Sequence, residues 1–274
     1  MDRLYQDFYD ARLPLELRTV PFGHDFGSRA DSIVQMDIAR ANEPRRGKIE
    51  RFRIYPGLGN RLDVVDLDGR NRQLVLHVVE QLNAFTTWVR ESEVPAGAVV
   101  VGRKGNRVEV QHWTSSDERT FLLGQDEQHL FIALLPSAVG SVRDAHAALR
   151  PALVDQLCDA GASVTRQGEW FFMSLSSDEQ AWIDELARKT IRVVRKTGIA
   201  DAMGLRRLGR QHVADEVVVV RGIPAPDGDR SERVYVRGAI VHPDHRTVVF
   251  KDWRRTIVNN ERLEEPVAGV DWID

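Results

Sequence analysis

Between residues 49 and 136, short apolar runs are broken again and again by turn signals, a rhythm that a helical bundle cannot bury. Arg61 to Leu67 is followed by Asp68-Gly69 and then by Gln73 to Val79, a hairpin cue. Ala98 to Val101, the turn Arg103-Lys104-Gly105-Asn106 and Arg107 to Trp113 make a second pair. In it, Val108, Val110 and His112 alternate with Arg107, Glu109 and Gln111. Phe121 to Leu123, the turn over 124–127 and His129 to Leu135 make a third. This stretch predicts an antiparallel sheet of about five or six strands. Val79 to Glu93 is expected as a helix on one face of it, because Leu82, Phe85 and Val89 recur at spacings of three and four.

The middle of the chain turns helical. Ser141 with Asp144 resembles a capping box ahead of Val142 to Leu149, and Pro151 opens a helix over Ala152 to Ala160 that Gly161 closes. Arg166 to Met173 reads as one strand. Ser176 with Glu179 then caps a helix whose Trp182, Ile183, Leu186, Ala187, Thr190, Val193 and Val194 share a side, running to Lys196 with Gly198 as its stop. Strands over 216–221, 233–241 and 247–250 follow as a meander.

The expected fold is α+β. It has a mostly antiparallel sheet from about 50 to 136, a helical middle over 141–200 and a second small C-terminal β-meander over 212–258. The parts are an N-terminal arm (1–48), a β-rich part (49–140) and an α+β part (141–274) ending in an acidic tail. No Pro/Ser-rich linker separates them, which favours one compact domain over two. At 274 residues and 42% hydrophobic, the chain can bury a core without staples.

Cys158 alone cannot form an internal disulfide, and the first twenty residues lack the basic start and apolar run of a secretion signal. A soluble, cytoplasmic protein is expected, with no membrane contact, because charges interrupt every window of the roughly 18 residues a span needs. The net charge of −3 gives no global pull towards nucleic acid.

Chemistry concentrates in the turn His242-Pro243-Asp244-His245. If Pro243 and Asp244 are its central residues, the two histidines pair across a hairpin and share a face, which suits a two-histidine half-site for zinc or a similar divalent ion. His212 or Asp215 would supply a third ligand, with Asp244 a lesser alternative. A bound water of lowered pKa would then make a hydrolase. The bland reading is that these are ordinary hydrogen-bonding turn histidines.

A second concentration is cationic: Arg188, Lys189, Arg192, Arg195, Lys196, Arg206, Arg207 and Arg210, with Asp201 the one acid between Arg188 and His212. It suits phosphate contacts to nucleic acid. It also suits a helix that begins Asp178, Glu179 and ends in bases, complementing its own dipole. The acids of 261–274 offer the cluster an internal partner.

Nucleophile elbows, Walker loops and dinucleotide fingerprints are absent. The glycines of Pro56 to Asn60 lack the following helix that a phosphate cradle needs. Cys158 sits on an apolar helix face, where a thiol is unreactive. Glu169 beside Trp170 is a candidate general acid, with Asp244 the other carboxylate considered for catalysis. The first expectation is therefore a non-enzymatic binding or assembly component with a protein partner or a homo-oligomer, and no cofactor. Nucleic-acid contact and a metal-dependent hydrolase on His242, His245 and His212 are the alternatives.

Overall fold

A computed structural model of the chain describes residues 2–22, 32–40, 49–113, 117–205 and 210–262. Among these the chain divides into two compact units, one of residues 2–125, 130–145 and 262, the other of residues 126–129 and 146–261. Strand makes up 47% and helix 19%, so the fold is β-rich and the helical middle is only part of what lies there. No helix among the described residues is long and apolar enough to cross a membrane.

The first unit opens with helix α1 (Asp2–Asp10), which buries Leu4 and Phe8. Strands β1 (Leu15–Leu17) and β2 (Gln35–Ala39) flank β3 (Arg51–Tyr55), β1 in parallel and β2 antiparallel. Two short stretches of the expected arm thus join β3 in a sheet. Across the β2–β3 pairing, Arg53 and Asp37 form a buried ion pair.

Strands β4 (Arg61–Asp68) and β5 (Gln73–Glu80) form the predicted Asp68-Gly69 hairpin, where Asp68 Oδ1 accepts from the amides of Arg70 and Asn71. The expected helix over Val79 to Glu93 is replaced by strand β6 (Ala84–Arg90), which pairs with β8 (Arg107–Trp113), itself paired with β7 (Val99–Lys104). Phe85, Thr87 and Val89 satisfy a period of two as well as Leu82, Phe85 and Val89 satisfy one of 3.6. The β-branched Thr86-Thr87 pair and the free edge of β8 decide for the strand.

Strands β9 (Asp117–Asp126) and β10 (His129–Leu134) complete the order β10-β9-β5-β4, with Leu74, Leu76, Phe121 and Leu123 fully buried. Full burial stabilises each such side chain by about 1.5–3 kcal/mol. The single expected sheet is thus three.

Helix α2 (Val142–Leu149) starts at Ser141, whose Oγ accepts from the Asp144 amide at 3.0 Å. Helix α3 (Ala152–Asp159) follows Pro151. The second unit is built on one six-stranded antiparallel sheet, β11-β12-β16-β15-β14-β13. The single strand expected over Arg166 to Met173 is a hairpin of β11 (Val164–Gln167) and β12 (Trp170–Ser174), turning at Gly168-Glu169. Gly168 has φ +55°, the positive φ that the first central position of a type II′ turn demands.

Helix α4 (Ser177–Lys189) is capped as expected, Ser176 Oγ accepting from the Glu179 amide at 3.2 Å. It stops at Lys189 instead of Lys196. Val194–Gly198 is strand β13, because a β-branched run can satisfy its backbone against β14 (Val213–Val220). A short helix, α5 (Ile199–Met203), lies between them.

The meander of β14, β15 (Arg233–His242) and β16 (His245–Val258) is present, but as half of this larger sheet. Trp170 and Phe172 alternate with Phe171 and Met173 along β12, which separates the two faces. Trp170, Phe172, Ala214, Val217, Val234, Val236, Ile240 and Phe250 form one core, closed by Ile199 and Ala200 of α5. On the other face Ile183 of α4 packs on Val218, Val220, Tyr235 and Trp253, and Val154 of α3 packs on Phe171 and Met173.

The sheet curls sharply along β16. A straight strand of its length would reach on the order of 45 Å. Yet Trp170 pairs with Val258 at its far end, while Gln167 Nε2, three residues before Trp170, donates to Arg246 O at its near end, 2.6 Å away. The bend has a place: Gly238 pairs with Phe250 and Val236 with Arg254, so β16 carries extra residues there. Gly238 (φ +88°) lies against Asp215, whose Oδ2 accepts from the Ala239 amide at 2.8 Å at a second bulge, where β15 carries an extra residue opposite β14.

Candidate metal centre

Curling brings three chain corners together in the second unit. The β15–β16 turn supplies His242 and His245, which pair directly across Pro243-Asp244. Neither central residue has positive φ, and a register shift between Ile240 and His242 absorbs the twist that a primed turn would have provided. The segment entering β14 supplies His212. The β11–β12 turn supplies Gly168 and Glu169.

Each of the three histidines offers a ring nitrogen within 4.8 Å of the others. Three such atoms lie no more than about 2.8 Å (4.8/√3) from a common point, against zinc–nitrogen bonds of about 2.0–2.1 Å. His212 stacks on both other rings, with centroids 4.3 Å from His242 and 5.3 Å from His245, while His242 and His245 are tilted at 4.9 Å. Their planes lie 15°, 20° and 33° apart, so coordination requires the rings to fan towards one centre.

His212 and His242 are buried, His245 half-buried. Burial pushes the His242 imidazole down to about 4, with nearby His212 adding to the effect, and burial lowers His245 too. Both are therefore neutral at pH 7, the form that binds metals.

The three rings differ in what they bond. His242 Nδ1 accepts from the Asp244 amide at 3.2 Å, which leaves the proton on Nε2, 3.1 Å from Arg210 O. It is a fully used turn histidine. His212 makes no hydrogen bond at either ring nitrogen, although its side chain is wholly buried. Its Nδ1 stands 3.5 Å from Oε2 of buried Glu169. On the other side, a Cβ built on Gly168 would stand 3.3 Å from His212 Nε2 and 3.0 Å from His245 Nε2. The absent side chain at Gly168 thus leaves room beside both Nε2 atoms.

The other expected site residues fall elsewhere. Asp215, the alternative third ligand, faces the β15 bulge and is held there by the Ala239 amide. Asp244 is buried at the turn, its Oδ1 3.2 Å from Arg210 Nη1 and 3.9 Å from His129 Nε2. Glu169, proposed from sequence beside Trp170, sits beside His212 instead.

The basic stretch does not form one helix end. Arg188 and Lys189 close α4, where Lys189 pairs with Glu185 at 2.8 Å. Arg192 lies in the link to β13, which carries Arg195, paired with Glu216 at 3.4 Å, and Lys196. Arg210 pairs with Asp244. Arg206, Arg207, the 42–48 run and the acidic tail over 263–274 lie outside the described residues.

Sequence reasoning missed Gly168 and the placement of Glu169. The signal was an isolated glycine inside a strand pattern, which marks a tight turn or a close backbone approach. No protein-family model, no curated protein and no solved structure matches the chain.

Proposed function

We propose that the second unit holds one divalent, imidazole-preferring ion, of the zinc, cobalt, nickel or copper kind, at His212, His242 and His245. Its task is to cross-link three corners of the curled sheet. The carrying observation is His212: a buried imidazole with no hydrogen bond at either nitrogen forfeits about 1–3 kcal/mol per unsatisfied group, and an ion at Nε2 removes that deficit. Three imidazole nitrogens favour such ions over magnesium or calcium, which take oxygen ligands.

To bind through Nε2, His242 must give up its bond to Arg210 O and, because its proton then moves to Nδ1, the bond from the Asp244 amide as well, a cost of about 1 kcal/mol for each. Binding at tens of micromolar corresponds to about 6 kcal/mol, which exceeds that cost. Burial of His212, His242 and Glu169 leaves little access for a substrate, which favours a cross-linking role even though three histidines leave a fourth position for water.

The test is metal analysis of the purified protein, with calorimetric titration of the metal-free form by zinc and by cobalt. One ion per chain is expected, lost in the double variant His212→Ala with His245→Ala. The proposal is overturned if the purified chain carries no stoichiometric ion and the metal-free form takes up none at tens of micromolar.

A further inference from the structure

Glu169 has no place in that ligand set, yet it is a buried carboxylate at the edge of it. Its backbone is fixed: Glu169 O accepts from the Asn259 amide at 2.8 Å, and Trp170 beside it is locked into β16 pairing and the core. The carboxylate Oε2 stands 3.5 Å from His212 Nδ1. The preceding residue, Gly168, stands over His212 Nε2 and His245 Nε2. One two-residue turn therefore addresses both nitrogens of the same imidazole, the carboxylate at Nδ1 and an unobstructed glycine at Nε2.

Resting on the metal reading above, we infer that Glu169 is the positioning carboxylate of the centre. Its Oε2 accepts a hydrogen bond from the Nδ1–H of His212, which fixes the tautomer and presents Nε2 to the ion. Metal-bound histidines commonly give their second nitrogen to a carboxylate, which orients the ring and raises its basicity, and loss of that partner typically weakens metal affinity 10–100-fold. The 3.5 Å separation closes to a hydrogen bond as the His212 ring turns out of its stack. Glu169 stays outside the coordination sphere.

The experiment is cobalt(II) titration of the metal-free wild type, Glu169→Gln and Glu169→Asp, followed by visible absorption. Wild type is expected to bind one cobalt with the bands of a low-symmetry site. Glu169→Gln should bind 10–100-fold more weakly with the band positions unchanged, since the ligands are the same. Glu169→Asp, which keeps the charge on a shorter stem, should fall between the two, and it decides the matter if the glutamine variant does not fold. Equal affinities across the series overturn Glu169's role while leaving the metal centre standing. Shifted bands make Glu169 a ligand, which also overturns it. Absence of cobalt binding in the wild type removes the metal reading itself, and this inference with it.

Discussion

His212 and His242 stack with ring centroids 4.3 Å apart and planes within 15° of parallel, although thirty residues of chain separate them. One ring of this pair is fully hydrogen-bonded and the other is not hydrogen-bonded at all. That asymmetry makes the two separable by mutation.

His212→Leu replaces an unsatisfied buried imidazole by an apolar group of similar size. In the metal-free protein it should change stability by less than about 1.5 kcal/mol, in either direction. Urea denaturation in the presence of a chelator measures this. A loss above about 3 kcal/mol would show that His212 holds the fold by its own contacts. The zinc-dependent rise in stability, by contrast, should vanish.

Gly168→Ala introduces a Cβ 3.0 Å from His245 Nε2 and from His212 Cε1, at a φ of +55°. Left-handed backbone costs an L-residue about 1–2 kcal/mol, and the methyl group occupies the room beside both Nε2 atoms. Thermal melting should report a modest destabilisation without metal, and zinc titration a loss of binding far larger than that destabilisation explains. Unchanged zinc affinity would place the ion elsewhere.

The depressed His242 imidazole sets a pH dependence for the metal-free protein. Its folded value, about 4, lies below the ordinary 6.5, so between these values the unfolded chain binds a proton that the folded one does not. Stability is therefore complete above pH 6.5 and declines as pH falls towards 4, by up to about 3 kcal/mol from this one group. Urea midpoints from pH 7.5 to 4.5 should show the decline. His242→Gln should flatten it, and an unflattened profile assigns the acid sensitivity to other groups.

Arg233 is buried under carboxylates: Asp227 Oδ2 at 2.6 Å, Glu179 Oε1 at 3.1 Å and Asp229 Oδ2 at 3.2 Å, with Tyr235 donating to Glu179 at 2.6 Å. Arg233→Ala leaves the Glu179 charge, which is mostly shielded from water, without its cation. A loss of about 3–5 kcal/mol is expected by urea denaturation. A neutral outcome would mean that Glu179 takes up a proton or turns to solvent.

Much of this was legible in the sequence because it was local. The Asp68-Gly69 hairpin, the Ser141 and Ser176 caps and the His242–His245 pairing all depend on neighbours within a few residues. What was not legible depends on partners far along the chain. Phe85 to Val89 fits a helix as well as a strand until β8 is beside it, and Val193-Val194 extends α4 on paper until β14 offers an edge. For the site, the histidines were visible as residue types. Glu169 was visible only as a carboxylate next to a tryptophan, because nothing in Arg166 to Met173 says that a turn there meets Arg246.

The bend in β16 makes the histidine cluster a gauge of curvature. Both ends of one strand are tied to the residues flanking a single two-residue turn, so flattening the sheet anywhere between Phe250 and Arg254 pulls His245 away from His212 without touching either ring. Gly238, where the bend is set, lies four residues before His242, and a side chain there would strike Asp215 Cβ at 2.6 Å. Affinity for an ion at the far corner then becomes a readout of how tightly the whole sheet is wound, and an ion, once bound, a brace that keeps it so.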